Sequence, residues 1–184
     1  MIPASWKKWM GIPHPCKNPK SIFMGLVGGV GDLISAAPSV AALKRKYPEA
    51  RITFGVGGGI FFSTIRNDPN IDRFETPFSY DVWKKRTRRK VYREKYREHD
   101  LVLLLDNGDQ DWWKQKKHLI DIYSEKCGVT LDRRRPVMYL DERDTEEAMK
   151  KLSELEISNT DKLLILSPET RSKKKMKEWP YDRF

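Results

Sequence analysis

Short apolar runs alternate with amphipathic stretches from Ser21 almost to the end of the 184-residue chain. Residues 22–27 are almost wholly apolar and predict a buried strand. A glycine-rich turn follows, then an apolar helix through Leu43. Pro38 lies inside that helix and lacks an N–H donor, so it should kink the helix or start its regular part. Residues 51–54 predict a second strand, 61–66 a short helix and 71–75 a third strand. A basic segment then predicts a helix ending near His99. The uninterrupted aliphatic run 101–105 predicts a central parallel strand. A helix is predicted over 116–127, with Leu119, Ile122, Tyr123 and Cys127 on one face and Gly128 as its stop. A short strand at 137–140, an amphipathic helix over 144–155 and a strand at 163–166 continue the alternation. Trp179, Pro180 and Tyr181 look like the opening of one more helix. This pitch of strand and helix predicts an α/β fold with a mostly parallel, Rossmann-like sheet and flanking helices.

Charged residues at 34% and hydrophobic ones at 39% place the chain among globular rather than disordered proteins. No apolar stretch approaches the roughly 20 residues of a membrane span. Lys7 and Lys8 are followed by Gly11, Pro13 and Pro15, which leaves no signal-peptide core in residues 1–19. That irregular arm also carries Trp6, Trp9 and Met10, which suit either a bilayer interface or simple packing against the domain. Cys16 and Cys127 form neither a metal-ligand spacing nor a disulfide framework. The expectation is a cytoplasmic protein, with peripheral contact to the inner membrane as an option.

The net charge of +10 is concentrated: residues 84–97 hold nine basic side chains against Glu94. Arg88, Arg89 and Arg93 belong to this run, and Tyr92 and Tyr96 are interleaved with it. Such density attracts phosphate-rich partners, whether nucleic acid, anionic lipid or a phosphorylated glycolipid. A solvated helix face accounts for it equally well.

Gly28, Gly29, Val30, Gly31 and Asp32 stand directly between a strand and a helix. Glycines there permit a sharp turn and the close approach of a ligand. Neither a Gly-Lys-Ser/Thr phosphate loop nor a G-x-G-x-x-G dinucleotide fingerprint is present. Asp32 would also repel a pyrophosphate at the helix mouth. Two readings remain for it: a general base taking the proton of an attacking hydroxyl, or an ordinary N-cap aspartate.

The stretch Gly28 to Asp32, followed by Ala37-Pro38 and by Ala42-Leu43-Lys44-Arg45-Lys46-Tyr47-Pro48, resembles the opening of the heptosyltransferase family, glycosyltransferase family nine. The resemblance runs on through Asn67-Asp68-Pro69-Asn70-Ile71-Asp72, residues 100–106, His118 to Gly128, and Arg135-Pro136-Val137-Met138-Tyr139-Leu140. Leu166-Ser167-Pro168 and Lys177-Glu178-Trp179-Pro180 extend it over about residues 21–184.

This resemblance implies a GT-B architecture, two facing Rossmann-like domains with the active site between them. Residues 20–161 would form the acceptor-side domain and 162–184 the start of an incomplete donor-binding domain. It implies an inverting, metal-independent transfer from an ADP-heptose-like nucleotide sugar to a hydroxyl of a phosphorylated glycan or glycolipid such as the lipopolysaccharide core. No cofactor is implied. Asp32 falls on the candidate base and Lys177 on the lysine contacting donor phosphate, the alternative for Lys177 being a solvated side chain. Thr170 or Ser172 falls near a donor hydroxyl contact, although the loop 169–176 is longer and more basic than the family's. Gly29, Gly31, Asp106, Arg88, Arg89 and Arg93 are the acceptor-side candidates. Asp106 also suits a solvated turn, His118 a helix surface, and Gly57-Gly58-Gly59 a mere turn. On this reading the 184 residues alone do not catalyse. The competing class is a non-catalytic Rossmann-like module that grips nucleic acid or anionic glycans through the basic run.

Overall fold

The computed structural model describes residues 16–78, 96–106, 116–158 and 160–166. The chain divides into two compact units, Met1–Leu140 and Asp141–Phe184. In the first, strands β1 (Ser21–Val27), β2 (Arg51–Gly55), β3 (Arg73–Glu75) and β4 (Leu101–Asp106) form one sheet in the order β3-β2-β1-β4. Every pairing is parallel. Helices α1 (Val30–Lys46), α2 (Ile60–Ile65) and α3 (Leu119–Cys127) flank it, giving the expected α/β Rossmann-like fold. Helix α4 (Glu142–Glu154) belongs to the second unit.

Strand periodicity sorts the core into two faces. Ile22, Met24 and Leu26 of β1, Ile52 and Phe54 of β2, and Leu103 and Leu105 of β4 share one cluster with Leu33, Ala36, Val40 and Leu43 of α1 and Tyr123 of α3. The alternate residues Phe23, Val27, Val102 and Leu104 face the other way, with Phe78 and Tyr96 packed on them. Phe23 stacks on Tyr96 at 3.9 Å between ring centroids and tilts against Phe78 at 5.7 Å. The Phe78 ring sits on two glycines: a Cβ at Gly25 would lie 2.6 Å from it, and one at Gly55 2.9 Å. Side chains at those strand positions would displace the ring.

Four expectations are corrected. The run 101–105 forms a strand, but among the described residues it pairs only with β1 and so stands at the edge of the sheet, with β1 and β2 interior. Helix α1 starts at Val30 and runs unbroken through Pro38, so the proline does not open its regular part. The helix expected from residue 116 starts at Leu119, because His118 caps it: Ile120 N–H donates to His118 Nδ1 at 3.2 Å. Residues 137–140 and 163–166 are not strands. Val137, Met138 and Leu140 are more than half exposed, as are Leu163 to Leu166, so their apolar runs find no ladder among the described residues. Gly128 ends α3 in the left-handed conformation at φ 63°, as expected.

By itself α4 is a solvated helix. Asp141 accepts from Asp144 N–H at 2.8 Å, and Asp144 returns the bond to Asp141 N–H. The pairs Arg143–Glu147 and Lys150–Glu154 run along its surface, and no residue of it is buried. Among the described residues no helix is long and apolar enough to cross a membrane.

Two carboxylates tie down the sheet. Asp100 accepts from Lys20 N–H, Ser21 N–H and Ser21 Oγ–H, joining the starts of β1 and β4. The backbone bonds from Lys20 and then Ser21 hold its carboxyl below the ordinary value. Asp72 accepts from Lys44 Nζ and Ile52 N–H. Burial pushes Asp72 up, but the bonds and charge of Lys44, with Ile52 and Arg51, outweigh it and leave it depressed. Burial also depresses His99, whose Nδ1 is buried without a hydrogen-bond partner.

A group whose folded pKa lies below its unfolded value contributes stability above the unfolded pKa and loses it as pH falls through the folded one. Two losses are therefore expected on acidification: one below about pH 6.5 from His99, one below about pH 3.9 from Asp72 and Asp100. Asp68, raised by burial, works in the opposite sense. Denaturant unfolding at pH 7.5 and 5.5 should show lower stability at 5.5. His99→Leu should remove most of that difference, and an undiminished difference would assign it elsewhere.

Candidate functional site

The carboxyl ends of β1 and β4 lie side by side, with Val27 paired to Asp106. Gly28 and Gly29 leave β1 there and turn into α1. Gly29 is the N-cap, in extended conformation at φ −80°, ψ 178°. Asp32 is therefore not the N-cap. It stands three residues inside the helix start and closes a reciprocal pair with the cap: Gly29 N–H donates to Asp32 Oδ2 at 2.6 Å, and Asp32 N–H to Gly29 O at 3.0 Å.

This carboxylate folds back over Gly28. A Cβ on Gly28 would lie 2.5 Å from Asp32 Oδ2, so only glycine leaves the space the bent side chain fills. The second oxygen is held from the far side of the helix. Tyr123 Oη–H donates to Asp32 Oδ1 at 2.9 Å, across 91 positions of sequence. Tyr123 is wholly buried, so its hydroxyl is fixed by packing. Asp32 remains partly exposed beside exposed Gly28, Gly29 and Gly31. Gly29 and Tyr123 thus orient the carboxylate at the edge of the sheet, where open α/β sheets place ligands.

Asp106 ends β4 at this same edge. Gly59 opens α2 at φ 63°, and Gly57 lies where a Cβ would meet Phe61 at 3.0 Å. These two glycines thus have conformational work in the turn. His118 is exposed and its Nδ1 caps α3. Tyr96 is buried, stacked on Phe23, and donates to Glu75 Oε1, so its face is closed to a nucleobase. That correction removes half of the aromatic pair on which the nucleic-acid reading rested. Lys177, Thr170, Ser172, Arg88, Arg89 and Arg93 lie outside the described residues.

The hydrogen bond from Tyr123 went unforeseen. The signal was present in the predicted α3 face, where a tyrosine among Leu119, Ile122 and Cys127 must find a partner for its hydroxyl once buried.

No protein-family model matches the chain, and no curated protein sequence does. Among solved structures it is similar to a glycosyl transferase of family 9 from Veillonella parvula DSM 2008, with a TM-score of 0.58 and 20% identity. The likeness is one of fold. It covers 79% of this chain and 52% of the other, so the chain spans about half the length of that structure.

Proposed function

We propose that the chain is the acceptor-side half of an inverting glycosyltransferase of the heptosyltransferase type, with Asp32 as its general base. The observation that carries this reading is the Asp32 carboxylate, fixed by Gly29 N–H and Tyr123 Oη–H at the carboxyl edge of a Rossmann-like sheet. In the proposed step the acceptor hydroxyl gives its proton to Asp32 while its oxygen forms a bond to the anomeric carbon. The bond from that carbon to the diphosphate breaks, and the nucleoside diphosphate departs with the electron pair. Lys177, with Thr170 or Ser172, neutralises the departing charge, and no metal takes part. Gly29, Gly31 and Asp106 border the acceptor, and Arg88, Arg89 and Arg93 bind its phosphates.

The donor on this reading is an ADP-heptose-like nucleotide sugar and the acceptor a phosphorylated glycan or glycolipid such as the lipopolysaccharide core. The protein would work in the cytoplasm or on the cytoplasmic face of the inner membrane. Residues 20–161 serve as the acceptor-side domain and 162–184 open the donor-side one. The exposure of Leu163, Leu164, Ile165 and Leu166, from 51% to 80%, supports that reading, since four successive aliphatic residues gain most from burial in further structure.

The test is a transfer assay on the protein expressed from its complete reading frame, with labelled ADP-, UDP- and GDP-sugars and phosphorylated core oligosaccharides. Label should pass to the oligosaccharide from one nucleotide sugar with inversion at the anomeric carbon. No transfer from any donor, with the protein folded, would overturn the proposal.

A further inference from the structure

A depression of about 280 Å³ lies against the later turns of α1. None of its lining residues belongs to the glycine loop or to the carboxyl edge. Ala37, Pro38 and Ala41 of α1 supply an apolar floor, and Arg45 of the same helix pairs with Asp132 at 2.9 Å on the rim. The opposite wall is the irregular segment after α3. Arg133, Arg135, Val137 and Tyr139 line it, every second residue, as extended chain requires for side chains on one side. Arg134, between them, instead binds Asp121 of α3 and so anchors the segment.

Arg133 and Arg135 make no ion pair or hydrogen bond among the described residues. The third polar element is Asp68, only 6% exposed. Its Oδ1 accepts from Asn70 N–H at 2.9 Å and from Asn70 Nδ2–H at 2.7 Å. Its Oδ2 accepts nothing among the described residues. The groove thus combines a carboxylate oxygen and two guanidiniums that meet no partner among the described residues, an apolar floor and a phenol ring.

Each part has a complement in one small molecule. A guanidinium grips a phosphate through paired N–H donors. A buried carboxylate takes a hydroxyl. An apolar floor with an aromatic ring covers the C–H face of a pyranose. The volume lies just under the range of about 300–1,000 Å³ typical of drug-sized ligands, which suits one sugar ring with its anionic group. We propose that this groove binds a sugar phosphate, either free or at the end of a glycan, at a site separate from Asp32.

The experiment uses the purified 184-residue chain, with calorimetry and amide chemical-shift mapping. Glucose 6-phosphate should bind at least about tenfold more tightly than glucose or inorganic phosphate alone, a difference of about 1.4 kcal/mol. The shifts should centre on Ala37, Ala41, Asp68 and Arg135. The double variant Arg133→Gln, Arg135→Gln should lose at least about tenfold in affinity. Both side chains are exposed, so this variant should keep its melting temperature. An oligosaccharide ending in the same phosphorylated sugar separates the sources: tighter binding marks a glycan end as the ligand, and equal or weaker binding the free sugar phosphate. No binding, equal binding of inorganic phosphate, or binding untouched by the double variant would overturn the proposal.

Discussion

Asp32→Asn should lower kcat by about 10²–10⁴-fold, the range for loss of a positioned general base, with the donor KM unchanged. The substitution is informative because the site can hold an amide without rebuilding. The side-chain oxygen can stay on Gly29 N–H, where Asp32 Oδ2 now sits at 2.6 Å. The new amide group then faces Tyr123 Oη, 2.9 Å from the present Oδ1. A phenol both donates and accepts, so Tyr123 turns its hydroxyl and receives the bond it formerly gave. Shape, charge-free packing and the helix cap survive, whereas the proton acceptor does not. Rate and melting temperature should be measured together on the protein expressed from its complete reading frame. Unchanged turnover would remove Asp32 as the base, and a collapsed melting temperature would assign the loss to folding.

Phe23→Ala should destabilise the protein by about 3–5 kcal/mol, the usual cost of emptying a buried aromatic site. Phe23 is fully buried and is the centre of its cluster, with Tyr96 stacked on one side and Phe78 on another. Truncation removes the ring that Tyr96 stacks on and Phe78 tilts against, and leaves a gap between them. For a chain of this length the loss corresponds to a fall in melting temperature of roughly 6–20 °C. Thermal or denaturant unfolding would report it. A change below about 1 kcal/mol would show that this face of the sheet is not part of the cooperative core.

Local periodicity located nearly every element of the first unit. The aliphatic runs of β1, β2 and β4 and the stop at Gly128 are local properties, settled by side-chain size and backbone conformation within a few residues. The segments that misled are equally apolar. Residues 137–140 and 163–166 carry the composition of strands, yet a strand also needs a neighbour to share its hydrogen bonds, and composition does not say whether one exists. The glycine loop was legible as the turn from strand to helix, but not its internal arrangement. Asp32 is held by a hydroxyl from a helix far along the chain, and such pairing follows from how α1 and α3 pack on the sheet. Asp68 was read only as part of a family-like turn. Its burial, and hence its chemical interest, depends on the packing around it.

The ring of Phe78 on Gly25 and Gly55 has a consequence for how this sequence can change over time. Positions 23, 25, 55 and 78 form one unit of variation. An alanine at 25 is opposed by that ring and becomes admissible once residue 78 is small, whereas one at 55 would also meet the Phe23 ring at 2.8 Å. Substitutions in contact are not additive, so the order in which they arise decides whether each intermediate folds. The Phe78 ring must shrink before position 25 can gain a side chain, and position 55 needs Phe23 to shrink as well. Relatives of this chain should therefore keep glycine at 25 wherever residue 78 is large, and glycine at 55 wherever residue 23 or 78 is large.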